Sequence, residues 1–331
     1  MQVGVTNMSK KVVFLGTGGT IAGTAASDSD NVGYKAAQLG IDQLLQSSPA
    51  LRGALEEYGV ETEQVLQVNS KDMEFSGWQQ ILGRVVHHLH RPEVTSVLIT
   101  HGTDTIEETA YFLHRAIPAG LLMNKRVVLT CAMRPASSAN ADGPANLCDA
   151  AVVAVSPAVA GVLVVCAGYV HAGVHVQKVH PYRLNPFDSG EAGHVAVVEE
   201  GQVRVVSTLP STTSAQLDIG RLLTASCPRV EVLVSHAGSD GTVVRALLNT
   251  TCQQTSPLRG LVVAGTGNGA VHEALEAALK LAQEQGVLVR RTSRCAYGQI
   301  VTGAVPDSQE LPPAYASPVK ARIDLILELL R

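Results

Sequence analysis

The sequence is poor in the residues that mark several functional classes. Aromatic side chains make up only 4% of its 331 residues, with a single tryptophan, which argues against the stacking surfaces that single-stranded nucleic acids require. Charged residues are 16% and the formal net charge is −4. No Lys/Arg cluster stands out, so the electrostatic footprint of a nucleic-acid binder is missing. Apolar runs stop short of the ~20 residues that a membrane span takes. The N-terminal stretch MQVGVTNMSKK lacks the apolar core of a secretory signal. The six cysteines (Cys131, Cys148, Cys166, Cys227, Cys252 and Cys295) form no CxxC and no Cys/His zinc spacing. Cys131, Cys166 and Cys227 lie in or beside apolar runs, where buried reduced thiols are expected. These deficits predict a chain that binds neither nucleic acid nor membrane and works in a reducing, cytoplasmic setting.

What the chain does have is material for a core: 46% of its residues are hydrophobic, which excludes a disordered polymer. Short runs rich in Val, Ile and Leu recur at 11–16, 96–100, 126–131, 161–166, 230–235, 260–265 and 287–291. Strands without polar alternation are buried on both faces, as in a parallel sheet. Between them lie helical patterns. Trp78, Ile81, Leu82, Val85, Val86 and Leu89 fall on one stripe, as do Val271, Ala274, Leu275, Ala278, Leu279 and Ala282, and again Val319, Ile323, Ile326, Leu327 and Leu330. Alternating strands and helices predict an α/β chain with helices on both faces of an open, mainly parallel, flavodoxin-like sheet. The polar, Gly/Pro-containing stretch 199–217 predicts a break. The expected domains are therefore 1–205, a linker at 206–222, and a smaller C-terminal α/β domain at 223–331.

In open α/β sheets ligands bind beyond the carboxyl ends of the strands, so the loops there carry the chemistry. The first strand runs into GTGGTIAG (16–23). A dinucleotide fingerprint starting at Gly16 needs glycine where Ile21 stands, and a phosphate loop starting at Gly18 needs lysine where Thr24 stands. What remains is a glycine turn presenting two hydroxyls, Thr17 and Thr20. The strand at 96–100 runs into THGTDTIEETAYFL. Thr105 and Glu108 have capping-box spacing, which starts a helix near Ile106 and leaves His101, Gly102, Thr103 and Asp104 in the turn. The strand at 126–131 is followed by AMRPASSANADGPANL, with a Pro-initiated helix near Pro144; this loop offers Arg134 and Asp142 and shapes a pocket wall. A hydroxyl nucleophile needs a base, and lysine is a candidate when burial depresses its pKa. Lys178 is the only lysine between Lys125 and Lys280. His171, His175 and His180 lack the spacing of a metalloprotease helix, and no metal or cofactor is expected.

The segments TGGTIAG (17–23), THGTDTIEETAYFL (100–113) and AMRPASSANADGPANL (132–147) closely resemble the bacterial-type L-asparaginases, and the resemblance runs over nearly the whole chain. It implies hydrolysis of L-asparagine to L-aspartate and ammonia, with the first signature threonine, Thr20, as nucleophile and a β-aspartyl ester as intermediate. It implies that the second, Thr103, works with Asp104 and Lys178, and that Tyr34 is the tyrosine of a mobile lid at 24–32. Substrate binding is implied for Gly19 and Gly102, for Ser70 at the α-carboxylate, for Asp104 at the α-ammonium, and for Asn268, contributed by a neighbouring subunit. Where the family has Gln or Glu beside the ammonium, this chain has Lys71, which cannot pair with a cation but can turn away or meet the carboxylate. A second carboxylate from the neighbour is expected near 299–310. The implied assembly is a homotetramer of close dimers sharing active sites. Other readings are a glutaminase-asparaginase or another aminoacyl-amide amidohydrolase, and a small-ligand binding protein without turnover. A tRNA-dependent amidotransferase subunit is expected to carry an N-terminal domain for which the start of the first strand near Lys11 leaves no room.

Overall fold

The computed structural model describes residues 10–46, 48, 50–210, 217–249, 256–303 and 311–331. The chain divides into two compact units, Met1–Gln216 and Leu217–Arg331.

The first unit is organised on one sheet of eight strands: β1 (Lys11–Gly18), β2 (Gly59–Val68), β3 (Val94–Thr100), β4 (Arg126–Thr130), β5 (Gly161–Cys166), β6 (Tyr169–Ala172), and, after the short strands β7 (Gln177–Lys178) and β8 (Phe187–Asp188), β9 (Ala196–Glu199) and β10 (Gln202–Val205). Their order is β10-β9-β6-β5-β4-β3-β1-β2, while β7 and β8 pair with each other in a separate ribbon. The β2-β1-β3-β4-β5 portion is parallel throughout, and β6, β9 and β10 extend it antiparallel. The 2-1-3-4-5 order is that of the flavodoxin-like fold, whose direction of winding reverses between the first and third strands.

Both faces of β1 are buried, and the side-chain period of two shows how. Val12 and Phe14 join a cluster with Leu147, Ala150, Ala151 and Ala154 from helix Gly143–Val155. Val13 and Leu15, also at 0% exposure, point to the opposite face. Trp78, Ile81, Leu82 and Val85 of helix Phe75–Leu89 are buried as their stripe predicts.

Six of the described strands, β2 and β6 to β10, escape a search for continuous apolar runs. β2 is an edge strand whose residues alternate between exposed and half-buried, so its sequence, GVETEQVLQV, is half polar. The expected break at 199–217 begins inside a β-hairpin: β9 and β10 pair antiparallel around Glu200 and Gly201, both at positive φ (49° and 72°), the backbone of a tight two-residue hairpin turn. The charged residues there belong to an exposed edge. Cys131 and Cys166 are buried, but Cys227, expected inside, is exposed; it precedes Pro228 and the start of the next strand, before the chain enters a sheet. Cys252 lies outside the described residues.

The second unit holds a three-stranded parallel sheet of β11 (Arg229–Val234), β12 (Leu258–Gly265) and β13 (Leu288–Ser293) in that order. Helices Thr242–Asn249 and Glu273–Glu284 contribute Val244, Leu248, Leu275, Ala278, Leu279 and Ala282 to its core. Helix Pro318–Leu329 packs its buried Ile323, Leu325 and Ile326 on the same sheet. Among the described residues no helix is long and apolar enough to cross a membrane.

Candidate active site

The carboxyl ends of β1 and β3 are adjacent and meet at the reversal point of the sheet. Beyond them the two turns approach backbone to backbone. Gly18 and Gly19 have φ of +96° and +79°, a region open to glycine. A Cβ on Gly19 would strike the backbone of His101 and Gly102, and one on Gly102 would strike the Ser70 side chain. The glycines therefore bring three segments together: 18–23, 69–72 and 101–105.

The two hydroxyls of the first turn have different fates. Thr17 Oγ1 donates to the Thr100 carbonyl at 2.7 Å, fully buried, and so stitches β1 to β3. Thr20 opens a single 3₁₀ turn, Thr20–Ala22. Its hydroxyl, 7% exposed, lies 2.7 Å from the Tyr34 hydroxyl. Tyr34 is held by an antiparallel bridge at the neck of the 24–35 loop, where Thr24 N donates to Lys35 O and Lys35 N to Thr24 O. The loop is tied to the segment after β4 by Ala25 N donating to Ser137 Oγ, Ala136 N to Gly23 O and Ala139 N to Asp28 O.

In the second turn Thr103 is 5% exposed. Lys178 Nζ donates to Thr103 Oγ1 at 2.9 Å and to Asp104 Oδ1 at 2.7 Å. Ser70 is buried, and its Oγ accepts from Asp104 N at 3.3 Å. The capping box expected from Thr105 and Glu108 does not form. The helix does start at Ile106, but Thr105 makes no side-chain cap, and its Oγ1 donates to the Ser70 carbonyl at 2.7 Å. The hydroxyl pins the 69–72 turn to the helix instead. Lys71 turns away, 2.6 Å from its exposed neighbour Asp72.

His101 supports the turn from beneath. Its Nδ1 bonds the Gly102 carbonyl at 2.8 Å and its Nε2 the Thr109 hydroxyl at 3.0 Å, while Trp78 Nε1 donates to Thr109 Oγ1 at 3.0 Å. A carbonyl can only accept, so Nδ1 carries the proton, and in the neutral ring Nε2 accepts from the Thr109 hydroxyl. Burial favours that neutral ring, pushing the His101 pKa down to about 4. Thr109 and Trp78 were not evident as site residues in the sequence; their only signal is a place on the buried faces of their helices.

The third loop is structural. Asp142 accepts from the backbone N–H groups of Met133 and Arg134, and Arg134 donates to the Asn140 carbonyl. Buried His171 bonds Ser189 Oγ through Nδ1, and His180 Nε2 lies 3.2 Å from Arg183. Among the described residues no three His, Cys, Asp or Glu side chains come together as a metal-ligand set. In the second unit Asn268, in the Thr266–Ala270 turn, donates through Nδ2 to Val301 O and accepts from Val301 N. Residues 304–310, most of the range expected to hold a second carboxylate, lie outside the described residues.

Residues 11–211 match the family "Asparaginase, N-terminal" and residues 229–330 match the "Glutaminase/Asparaginase C-terminal domain". The chain belongs to the asparaginase family. Among this asparaginase-family chain's relatives, a protein named "Probable L-asparaginase periplasmic" from Haemophilus influenzae is 33% identical over 96% of this chain and 88% of its own length. One named "Glutaminase-asparaginase" from Pseudomonas fluorescens biotype A is 34% identical over 88% and 77%. Among solved structures, "Probable Cytoplasmic L-asparaginase" from Campylobacter jejuni superposes with a TM-score of 0.86 at 31% identity, covering 97% of this chain and 95% of that one.

Proposed function

We propose that this chain hydrolyses the side-chain amide of L-asparagine to L-aspartate and ammonia, with Thr20 as the nucleophile. One observation carries the reading. Of the two hydroxyls in the first turn, Thr17 is consumed by a sheet carbonyl, whereas Thr20 meets the phenol of Tyr34. In the first step Thr20 Oγ attacks the amide carbon, its proton is relayed through the Tyr34 hydroxyl to the amide nitrogen, and the C–N bond breaks to release ammonia and leave a β-aspartyl ester on Thr20. Water positioned by Thr103 and Lys178 then cleaves the ester and restores Thr20. Backbone N–H groups of the glycine turns hold the developing oxyanion, each worth about 3–4 kcal/mol. Those of Gly19 and Asp104 are already donated, to Val68 O and Ser70 Oγ, so the oxyanion draws on others. Asp104 and Ser70 hold the α-ammonium and α-carboxylate.

The reading extends to L-glutamine as a second substrate, supported by relatives named glutaminase-asparaginase. It also includes a cytoplasmic location, supported by five free cysteines among the described residues and by the name of the Campylobacter protein. A homotetramer in which Asn268 completes a neighbour's pocket follows from the family resemblance; light scattering tests it, and an active monomer would remove Asn268 from catalysis. The central test is ammonia release from L-asparagine, L-glutamine and D-asparagine by the purified protein. No release from any of the three would leave a binding protein.

A further inference from the structure

We infer that Glu107 is a positioning residue for catalysis, acting on the backbone of Lys178. This rests on the proposed role of Lys178 in activating water. Lys178 lies outside the main sheet, on β7, a strand of two residues paired only to the two residues of β8, Gln177 with Asp188 and Lys178 with Phe187. So short a ribbon cannot by itself fix a lysine ammonium to a fraction of an ångström. The structure supplies a second anchor: Lys178 N donates to Glu107 Oε2 at 2.6 Å, a short contact of the kind made when the acceptor is ionised.

The anchor lies where it can set register. Glu107 is in the first turn of helix Ile106–Ala116, three residues beyond Asp104 and four beyond Thr103. Lys178 therefore reaches the same helix N-terminus twice, with its Nζ on Thr103 and Asp104 and with its backbone N–H on Glu107. Two attachments, one to the turn before the helix and one to its first turn, fix both the base and the tip of the side chain. With the Glu107 contact removed, Nζ remains tethered while the strand beneath it is held only by its ribbon to β8 and the bonds of Val179 and His180 N–H to the Pro186 carbonyl. Small displacements of a catalytic group are expensive: about 1 Å can cost on the order of 10²-fold in rate.

A purely structural part for Glu107 is separable from this one. An acidic residue in the first turn of a helix stabilises the helix through its charge, and Glu107→Gln removes that charge as fully as Glu107→Ala does. The amide oxygen of Gln, however, still accepts the Lys178 N–H. The test is kcat and KM for L-asparagine in Glu107→Ala, Glu107→Gln, Glu107→Asn and Lys178→Met, with melting temperatures alongside. The expected result is a kcat lowered about tenfold or more in Glu107→Ala with KM little changed, recovery in Glu107→Gln, and a loss in Glu107→Asn, whose amide is one methylene short. If Glu107→Ala does not fold, the Gln-to-Asn contrast decides alone. A kcat near wild type in Glu107→Ala, or equal losses in the Gln and Asn variants, overturns the inference when Lys178→Met is inactive. Full activity in Lys178→Met overturns the role of Lys178 itself, and this inference with it.

Discussion

The hydroxyls of Thr20 and Tyr34 stand 2.7 Å apart, across the neck of the 24–35 loop. The contact is short enough for a proton to pass between them, and Tyr34 is held in place by the Thr24–Lys35 bridge. Thr20→Ala is expected to lower kcat for L-asparagine by roughly 10³-fold or more, as removal of a nucleophile does. Tyr34→Phe, which keeps the ring and loses the hydroxyl, should cost roughly 10²-fold. Ammonia release measured on the folded variants checks both, and near-wild-type activity in Thr20→Ala would end the nucleophile assignment.

Thr17 is the control for that experiment. Thr17→Val removes the buried bond to the Thr100 carbonyl and keeps the shape. The expected effect is a stability loss of about 1–3 kcal/mol, since a buried acceptor loses its partner, with kcat held within a few-fold. Urea unfolding beside the ammonia assay separates the two threonines, and a collapse of kcat in a stable Thr17→Val would assign them the wrong way round.

Thr103→Val should abolish the second half of the reaction more than the first. Its hydroxyl is the acceptor of Lys178 Nζ, and without it the ester persists. A burst of about one ammonia per site followed by slow turnover, with the acylated chain visible by mass spectrometry, is the expected outcome. A uniform slowing with no burst argues that Thr103 serves the first step.

Lys71 is 2.6 Å from Asp72, and both side chains are more than 60% exposed. Such a pair contributes about 0–1 kcal/mol, so Lys71→Gln should leave the melting temperature almost unchanged. It replaces a cation with a group able to accept from the substrate's α-ammonium. The expected consequence is a lower KM for L-asparagine at nearly constant kcat, the pattern of added uniform binding. A fall in kcat instead would give Lys71 a part in the chemical step.

Acid should weaken the first unit in a defined window. Burial pushes the His101 and His171 pKa values down to about 4 from 6.5. Between those values the unfolded chain binds protons that the folded chain refuses, so stability falls as pH drops from 6.5 to 4. Denaturant midpoints measured across this range should fall less steeply in a folded His171→Gln variant than in the wild type; identical slopes would show that this ring does not control the acid limb.

The parts of the site that the sequence makes legible are those attached to strands buried on both faces. β1 and β3 read as unbroken apolar runs, and the glycine and hydroxyl residues after them fall at the carboxyl edge with no further information needed. Lys178 is different. It sits on a two-residue ribbon with no periodicity of its own, and the residue pattern alone leaves it a surface lysine; only the family resemblance singles it out. The choice between Thr17 and Thr20 depends on a 3₁₀ turn and on which carbonyl a hydroxyl can reach, both matters of backbone path. Thr105 and Glu108 show how local spacing misleads. Their pattern satisfies the capping rule, yet tertiary packing offers Thr105 the Ser70 carbonyl instead. Glu107 goes unnoticed for a related reason, since an acidic residue in a first helical turn already has an ordinary explanation.

The distances along the chain between partners have a consequence for synthesis. Thr20 and Tyr34 are 14 residues apart, whereas Lys178 is 75 residues from Thr103. Thr20 and the Tyr34 phenol can meet from nearby chain, but Lys178 must wait for a long loop to close, and such closures come late in folding. A nascent chain that has reached β5 holds both threonines but still lacks Lys178. On the proposed role of Lys178, catalytic competence arrives only after β7 and β8 have emerged from the ribosome and docked, and a chain arrested before them is expected to be inert however well its sheet has formed.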